Sequence, residues 1–164
     1  MEELPQKNTI GKVDINFDCI DNVNIYSMTK ISDQDILDAG ESGLFLSRDF
    51  LKFGNKAIVI SNESIEKFEI ILKSAIDKNK NIYPVKKGDL IANKVEYVDR
   101  DTYHGEIGIY KKFSDYKWQY EWRLAFMQKS NEGPFILKLG SLRELVDVFD
   151  TSELIDTAIK LAEI

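Results

Sequence analysis

At 164 residues, 43% hydrophobic and 30% charged, the chain has the make-up of one globular domain, too apolar for intrinsic disorder and too short for two full-sized domains. A formal charge of −6 argues against non-specific binding to nucleic acid backbones, which needs clustered Lys and Arg. Apolar runs such as Ala57-Ile58-Val59-Ile60 fall far short of the roughly 20 residues a bilayer span requires.

Residues 1–10 are expected to form a loosely ordered lead-in to a single domain spanning 1–164. Gly11 to Phe17 alternates apolar Val13, Ile15 and Phe17 with polar neighbours, the period of two that marks a strand. Asn24 to Met28 reads as a second strand, and Ser32 or Asp33 caps a short helix through Asp38 that Gly40 ends. Leu44 to Phe53 is ambiguous between helix and strand.

Lys56 to Ile60 is an apolar strand, followed at Ser61-Asn62 by the N-cap of a helix of about four turns. Its Ile65, Phe68, Leu72, Ala75 and Ile76 fall on one stripe and predict packing on a sheet. Ile82 to Val85 and Leu90 to Val98 are further strand candidates around a turn at Lys86-Lys87-Gly88-Asp89.

Arg100 to Lys112 reads as a loop with a short extended piece at Ile107 to Tyr110. Lys117 to Met127 is predicted as a long strand, with a turn at Lys129 to Pro134 and Phe135 to Leu139 as its hairpin partner. Leu142 to Phe149 is ambiguous. Thr151 or Ser152 caps a final helix with Leu154, Ile155, Ala158, Ile159 and Leu161 on its apolar face. Without a regular βαβ alternation, the order of elements predicts an α+β fold: a mixed or mainly antiparallel sheet with two principal helices packed on it.

Several chemistries lack the residues they need. Zinc sites take three or four Cys, His or carboxylate ligands, whereas only Cys19 and His104 supply a thiol or an imidazole. Asp99 to Gly105 resembles a calcium loop, but its glycine falls one place late and no glutamate stands at the twelfth position. No metal is expected. Neither a Gly-x-x-x-x-Gly-Lys loop nor a Gly-x-Gly-x-x-Gly fingerprint occurs, so no cofactor is expected either. Any nucleophilic triad would have to run through His104, the sole imidazole.

The informative segment is Phe113 to Phe126. In an extended chain Trp118, Tyr120, Trp122, Leu124 and Phe126 would share one face, and Lys117, Gln119, Glu121 and Arg123 the other. The aromatic face is expected to be core. The polar face is either a solvated ladder, with Glu121 flanked by Arg123 and Lys117, or the lining of a cleft. Tyr116, Lys117 and Arg123 are candidate binding residues, and Gln119 and Glu121 candidate catalytic ones.

Tyr116-Lys-Trp-Gln119-Tyr-Glu121-Trp122-Arg123 resembles the aromatic-x-x-Gln-x-Glu-aromatic-Arg strand of a family of uncharacterised bacterial and phage proteins. Ile25 to Met28, Phe53 to Ile60 and Val95 to Tyr97 extend that resemblance over about residues 19 to 145. Gln119-Tyr120-Glu121 also resembles the Gln-x-Glu of ADP-ribosyltransferases, with Tyr116 and Trp118 as the aromatics before it. That second resemblance implies that Glu121 holds the nicotinamide ribose and favours an oxocarbenium-like transition state, while Gln119 positions substrate. The family's early-strand Arg or His and its Ser-Thr-Ser motif have only loose substitutes here, in Tyr26-Ser27-Met28-Thr29 and Ser47-Arg48.

With a lone cysteine, no intrachain disulfide, and no basic-then-apolar leader in Met1 to Lys7, a cytoplasmic location is expected. The leading expectation is a small protein-binding or regulatory module of bacterial or mobile-element origin, with no membrane and no direct nucleic acid partner. One alternative is an ADP-ribosyltransferase-like or other enzyme using nicotinamide adenine dinucleotide (NAD) through Glu121. The other is an acidic inhibitor of a host nucleic-acid-binding protein.

Overall fold

A helix with one apolar stripe needs an apolar surface to cover, and the central strand of the structure supplies it. The computed structural model describes residues 23–83, 92–129 and 135–161. In chain order these form β1 (Val23–Thr29), α1 (Asp33–Asp38), a 3-10 turn (Arg48–Lys52), β2 (Lys56–Val59), α2 (Asn62–Lys78), β3 (Ala92–Lys94), β4 (Glu96–Val98) and β5 (Lys111–Phe113). A second 3-10 turn (Ser114–Gln119), β6 (Glu121–Met127), β7 (Asp147–Asp150) and α3 (Thr151–Asp156) complete the order.

The strands pair as an antiparallel β1-β6-β3 sheet, an antiparallel β2-β7 pair and a parallel β4-β5 pair. The fold is α+β and mainly antiparallel, as the sequence predicts. None of the described helices is long and apolar enough to cross a membrane.

The core lies between α2 and β6. Phe68, Leu72 and Ile76, at helical spacing on α2, pack with Leu124 and Phe126 of β6 and with Ile82. Met28, Ala92, Trp122 and Phe135 close around them. Each fully buried side chain of this kind contributes about 1.5–3 kcal/mol. Ser61 is the N-cap of α2. Ser32 and Asp35 form a reciprocal capping box on α1, which Lys94 of β3 reinforces with an ion pair of 2.6 Å to Asp35.

Several expectations need correction. Lys117 to Phe126 is not one strand. Ser114 to Gln119 winds into a 3-10 turn, Tyr120 takes a left-handed φ of 45°, and extended backbone starts only at Glu121. A 3-10 turn eclipses side chains at i and i+3, so alternate aromatics there do not share one face, and Trp118 finds partners outside the core, on Phe50 and Phe53. From Trp122 onward the alternation is as predicted, with Leu124 and Phe126 in the core.

Of the strand expected at Leu90 to Val98, the described part from Ala92 is split, because β3 pairs with β6 while β4 pairs with β5. Ile107 to Tyr110 is loop and turn, and pairing begins at Lys111. Phe135 to Leu139 forms no strand; Phe135, Leu137 and Leu139 pack directly on the core. The final helix stops at Asp156, after which Ile159 bridges to Leu44. The predicted lead-in at 1–10, the strand at 11–17, the turn at 86–89, residues 84–85 and 90–91 of the neighbouring strand candidates and residues 130–134 of the later turn lie outside the described residues.

Candidate functional site

The site begins at the left-handed residue. A non-glycine residue in that conformation costs on the order of 1–3 kcal/mol and persists only where its surroundings hold it. Here three hydrogen bonds pin Tyr120 and the residue that follows it. Lys30 N–H donates to the Tyr120 carbonyl (2.8 Å), Val95 N–H to the Glu121 carbonyl (2.8 Å), and Glu121 N–H to the Tyr97 hydroxyl oxygen (2.9 Å). The bend carries the chain from the 3-10 turn into β6 with Gln119 and Glu121 aimed at one point.

That point is the Lys112 ammonium. β4 and β5 pair so that Tyr97 lies beside Lys112 and Glu96 beside Lys111. Alternation along β5 sends Lys111 to Glu96 (2.5 Å) and Lys112 to the other side. There Lys112 Nζ donates to Gln119 Oε1 (2.6 Å) and Glu121 Oε2 (3.0 Å), and stands 4.7 Å from the centre of the Tyr116 ring.

Arg123 approaches the same carboxylate as a fork, with Nε 2.8 Å from Oε1 and Nη2 3.2 Å from Oε2, while its Nη1 donates to the Ile109 carbonyl. In the β1-β6 register Ser27 stands opposite Arg123 and Thr29 opposite Glu121. Directly opposed residues share a face, and the Ser27 side chain is close enough to Glu121 to help hold its carboxyl down.

Glu121 is 6% exposed, so the polar face is not a solvated ladder. Burial by itself pushes its carboxyl up. Hydrogen bonds from Arg123, Ser27 and Lys112, with the Arg123 charge, outweigh this and hold it at about 2. It is therefore a carboxylate across the physiological range, suited to stabilising positive charge or accepting hydrogen bonds rather than donating a proton. Burial pushes the Tyr97 hydroxyl up, so that group stays neutral.

Ser27, Thr29, Lys112, Gln119 and Glu121 line a cleft of about 560 Å³, together with Lys56, Thr151 and an apolar side made by Met28, Phe50, Phe53 and Ala57. The two phenylalanines come from the 3-10 turn at Arg48–Lys52 and its C-cap, a turn whose N-cap Ser47 accepts from Asp49 N–H. Trp118 backs them, edge-on to Phe50 (5.1 Å between centroids) and stacked with Phe53 (5.9 Å). Phe53 is 69% exposed. Gly54, also lining the cleft, has a φ of 152° that side chains rarely adopt.

Of the residues singled out from the sequence, Gln119, Glu121 and Arg123 come together, with Tyr116 beneath the Lys112 ammonium. Lys117 does not join them. It is exposed on the 3-10 turn, and Lys112 takes the flanking place that a continuous strand would have given it. His104 is exposed on a loop, and Cys19 lies outside the described residues. Among the described residues no three His, Cys, Asp or Glu side chains cluster to hold a metal ion.

Sequence reasoning missed Lys112, Phe50 and the pinning role of Tyr97. Lys112 sits in a polar stretch with no periodicity, and no local signal marks it. Ser27 and Phe53 lay within motifs quoted for resemblance, where only tertiary pairing shows what they face. No protein family, curated protein or solved structure matches this chain.

Proposed function

We propose that the cleft binds a nicotinamide dinucleotide and that the protein cleaves or transfers at its N-glycosidic bond. One observation carries this reading: Gln119, Glu121 and Ser27 converge in a single cleft whose other side is the half-buried Phe50 and the exposed Phe53, both backed by Trp118. Such a site offers a ring-stacking surface beside a fixed carboxylate, the two features that a ribosylated ring needs.

In the reaction the C1′–N bond breaks and nicotinamide leaves with the electron pair. The oxocarbenium ion is then captured by water or by an acceptor nucleophile, which loses a proton. Glu121, held ionised, stabilises the cation electrostatically in a partly water-excluded cleft. A ribose hydroxyl reaches it from the side of Ser27, which lines the same cleft with a neutral, rotatable hydroxyl. Gln119 orients the acceptor.

The test is incubation with isotopically labelled dinucleotide, alone and with a cell lysate. Released nicotinamide or transferred label is expected, reduced at least about 100-fold in Glu121→Gln. Gln119→Ala, whose amide oxygen bonds only to Lys112 among the described residues, should keep the fold and lower transfer more than hydrolysis. Absence of release, transfer and dinucleotide binding in the unaltered protein would overturn the reading.

A protein-binding role draws support from a different face. Ile58 and Val148 oppose each other across β2 and β7 and are 69% and 63% exposed, a pair that suits docking more than folding. The acidic-inhibitor reading has less behind it. Asp49, Asp77, Glu96, Asp115 and Asp150 each carry a Lys or Arg partner, the reverse of an unneutralised acidic face.

A further inference from the structure

The charges around the cleft do not cancel locally. Lys56 is neutralised by Asp150 at 2.8 Å. Glu121 is neutralised by the forked Arg123, whose two contacts are 2.8 and 3.2 Å. Lys112 is then the surplus cation. Its remaining partners are the neutral Gln119 amide and the face of the Tyr116 ring, and its one acidic neighbour is already shared with Arg123. In a chain of net charge −6, a fixed positive surplus inside a cleft is the local feature that attracts an anion against the general field.

Lys112 is also built to act as a binding group. An ammonium has three N–H donors, and Gln119 Oε1 and Glu121 Oε2 take two of them. Its side chain is 25% exposed and lines the cleft, so the ammonium is held in place yet open to a ligand. Tyr116 supports it from the ring face without adding compensating charge. An uncommitted donor on a preordered cation costs little side-chain entropy on binding.

We propose that Lys112 is the anion-binding residue of the cleft and that it receives the diphosphate of the dinucleotide. This rests on the reading of the cleft given above and adds to it which residue reads the acidic part of the ligand. Glu121 and Ser27 then serve the ribose, the phenylalanine pair serves the ring, and Lys112 serves the phosphoryl oxygens. Binding at Lys112 weakens as ionic strength rises.

The experiment is calorimetric titration of the full chain with three ligands: the oxidised dinucleotide, inorganic pyrophosphate and nicotinamide riboside, which lacks a diphosphate. The proteins are the unaltered chain, Lys112→Gln, Lys112→Arg and Lys111→Gln. The last makes the same charge change one residue away, on the side facing Glu96. Lys112→Gln should weaken dinucleotide and pyrophosphate about 10- to 100-fold, the range of a hydrogen bond to a charged group. It should leave the riboside within about 3-fold, while Lys111→Gln stays close to the unaltered protein and Lys112→Arg, which keeps the charge but not the ammonium geometry, retains more pyrophosphate affinity than Lys112→Gln.

Unchanged dinucleotide and pyrophosphate affinity in Lys112→Gln would overturn the assignment. So would an equal loss of all three ligands, which marks a structural role. Either result leaves the dinucleotide reading standing if the unaltered protein binds the dinucleotide. Lys112-dependent binding of pyrophosphate without dinucleotide binding would uphold the anion site and remove the dinucleotide reading. No binding of any of the three removes both.

Discussion

The two sides of β6 are built on different physics. On one, Leu124 and Phe126 meet Phe68, Leu72 and Ile76 of α2 in a contact that needs only apolar volume at helical and strand spacing. On the other, Glu121 and Arg123 meet Lys112, Gln119 and Ser27, which come from β5, a 3-10 turn and β1. The first side is non-directional and tolerates changes that conserve volume. The second depends on donor and acceptor positions and carries a strained residue, Tyr120, next to its carboxylate. That contrast separates what stabilises the chain from what the chain presents to a ligand.

The largest expected effect breaks the apolar side. Phe68→Ala should cost about 3–5 kcal/mol through lost burial and the cavity left behind, read as a lower midpoint in urea denaturation. Local charges do not change, so the loss should be nearly independent of pH.

Glu121→Gln tests the polar side and should cost about 3 kcal/mol near neutral pH, because Arg123 and Lys112 lose the charge that compensates them. This loss should depend on pH. The folded carboxyl lies at about 2, below its usual 4.5, so its contribution is fully present above the unfolded value and disappears as pH falls toward 2. Between pH 6 and 2 the unaltered protein should therefore lose roughly 3 kcal/mol from this group, and the Gln variant should show a correspondingly flatter profile.

Tyr97→Phe sharpens the comparison by removing one acceptor and little volume. The Glu121 N–H beside the left-handed residue then lacks its partner, at a cost of about 1–2 kcal/mol. Amide hydrogen exchange at Glu121 should accelerate more than exchange within α2. The smallest effect lies outside both regions. Lys73 and Asp77 form an exposed pair one turn apart on α2, at 2.5 Å, and Lys73→Ala should change stability by less than about 0.5 kcal/mol.

The apolar side was legible in the sequence because its rule is periodic. Phe68, Leu72 and Ile76 recur at helical spacing, and Trp122, Leu124 and Phe126 at strand spacing, so their burial follows from local pattern. The same rule failed at Lys117 to Tyr120. The alternating aromatics there lie in a 3-10 turn whose Trp118 packs on Phe50 and Phe53, some 65 residues earlier in the chain.

Gln119, Glu121 and Arg123 stood out as residues close together in sequence, and the structure brings them into one cluster. That Lys112 rather than Lys117 completes it was not legible, because β5 reaches the site by parallel pairing with β4, a contact without a local signature. By itself, then, the sequence determined the α+β class, the face of α2 and the core half of β6, since each follows from side-chain periodicity along one element. The bend at Tyr120, the low carboxyl of Glu121 and the cleft in which Lys112 shares one carboxylate with Arg123 were decided only by tertiary structure. Hydrogen bonds and charge compensation are set by distance in space, and neither scales with separation along the chain.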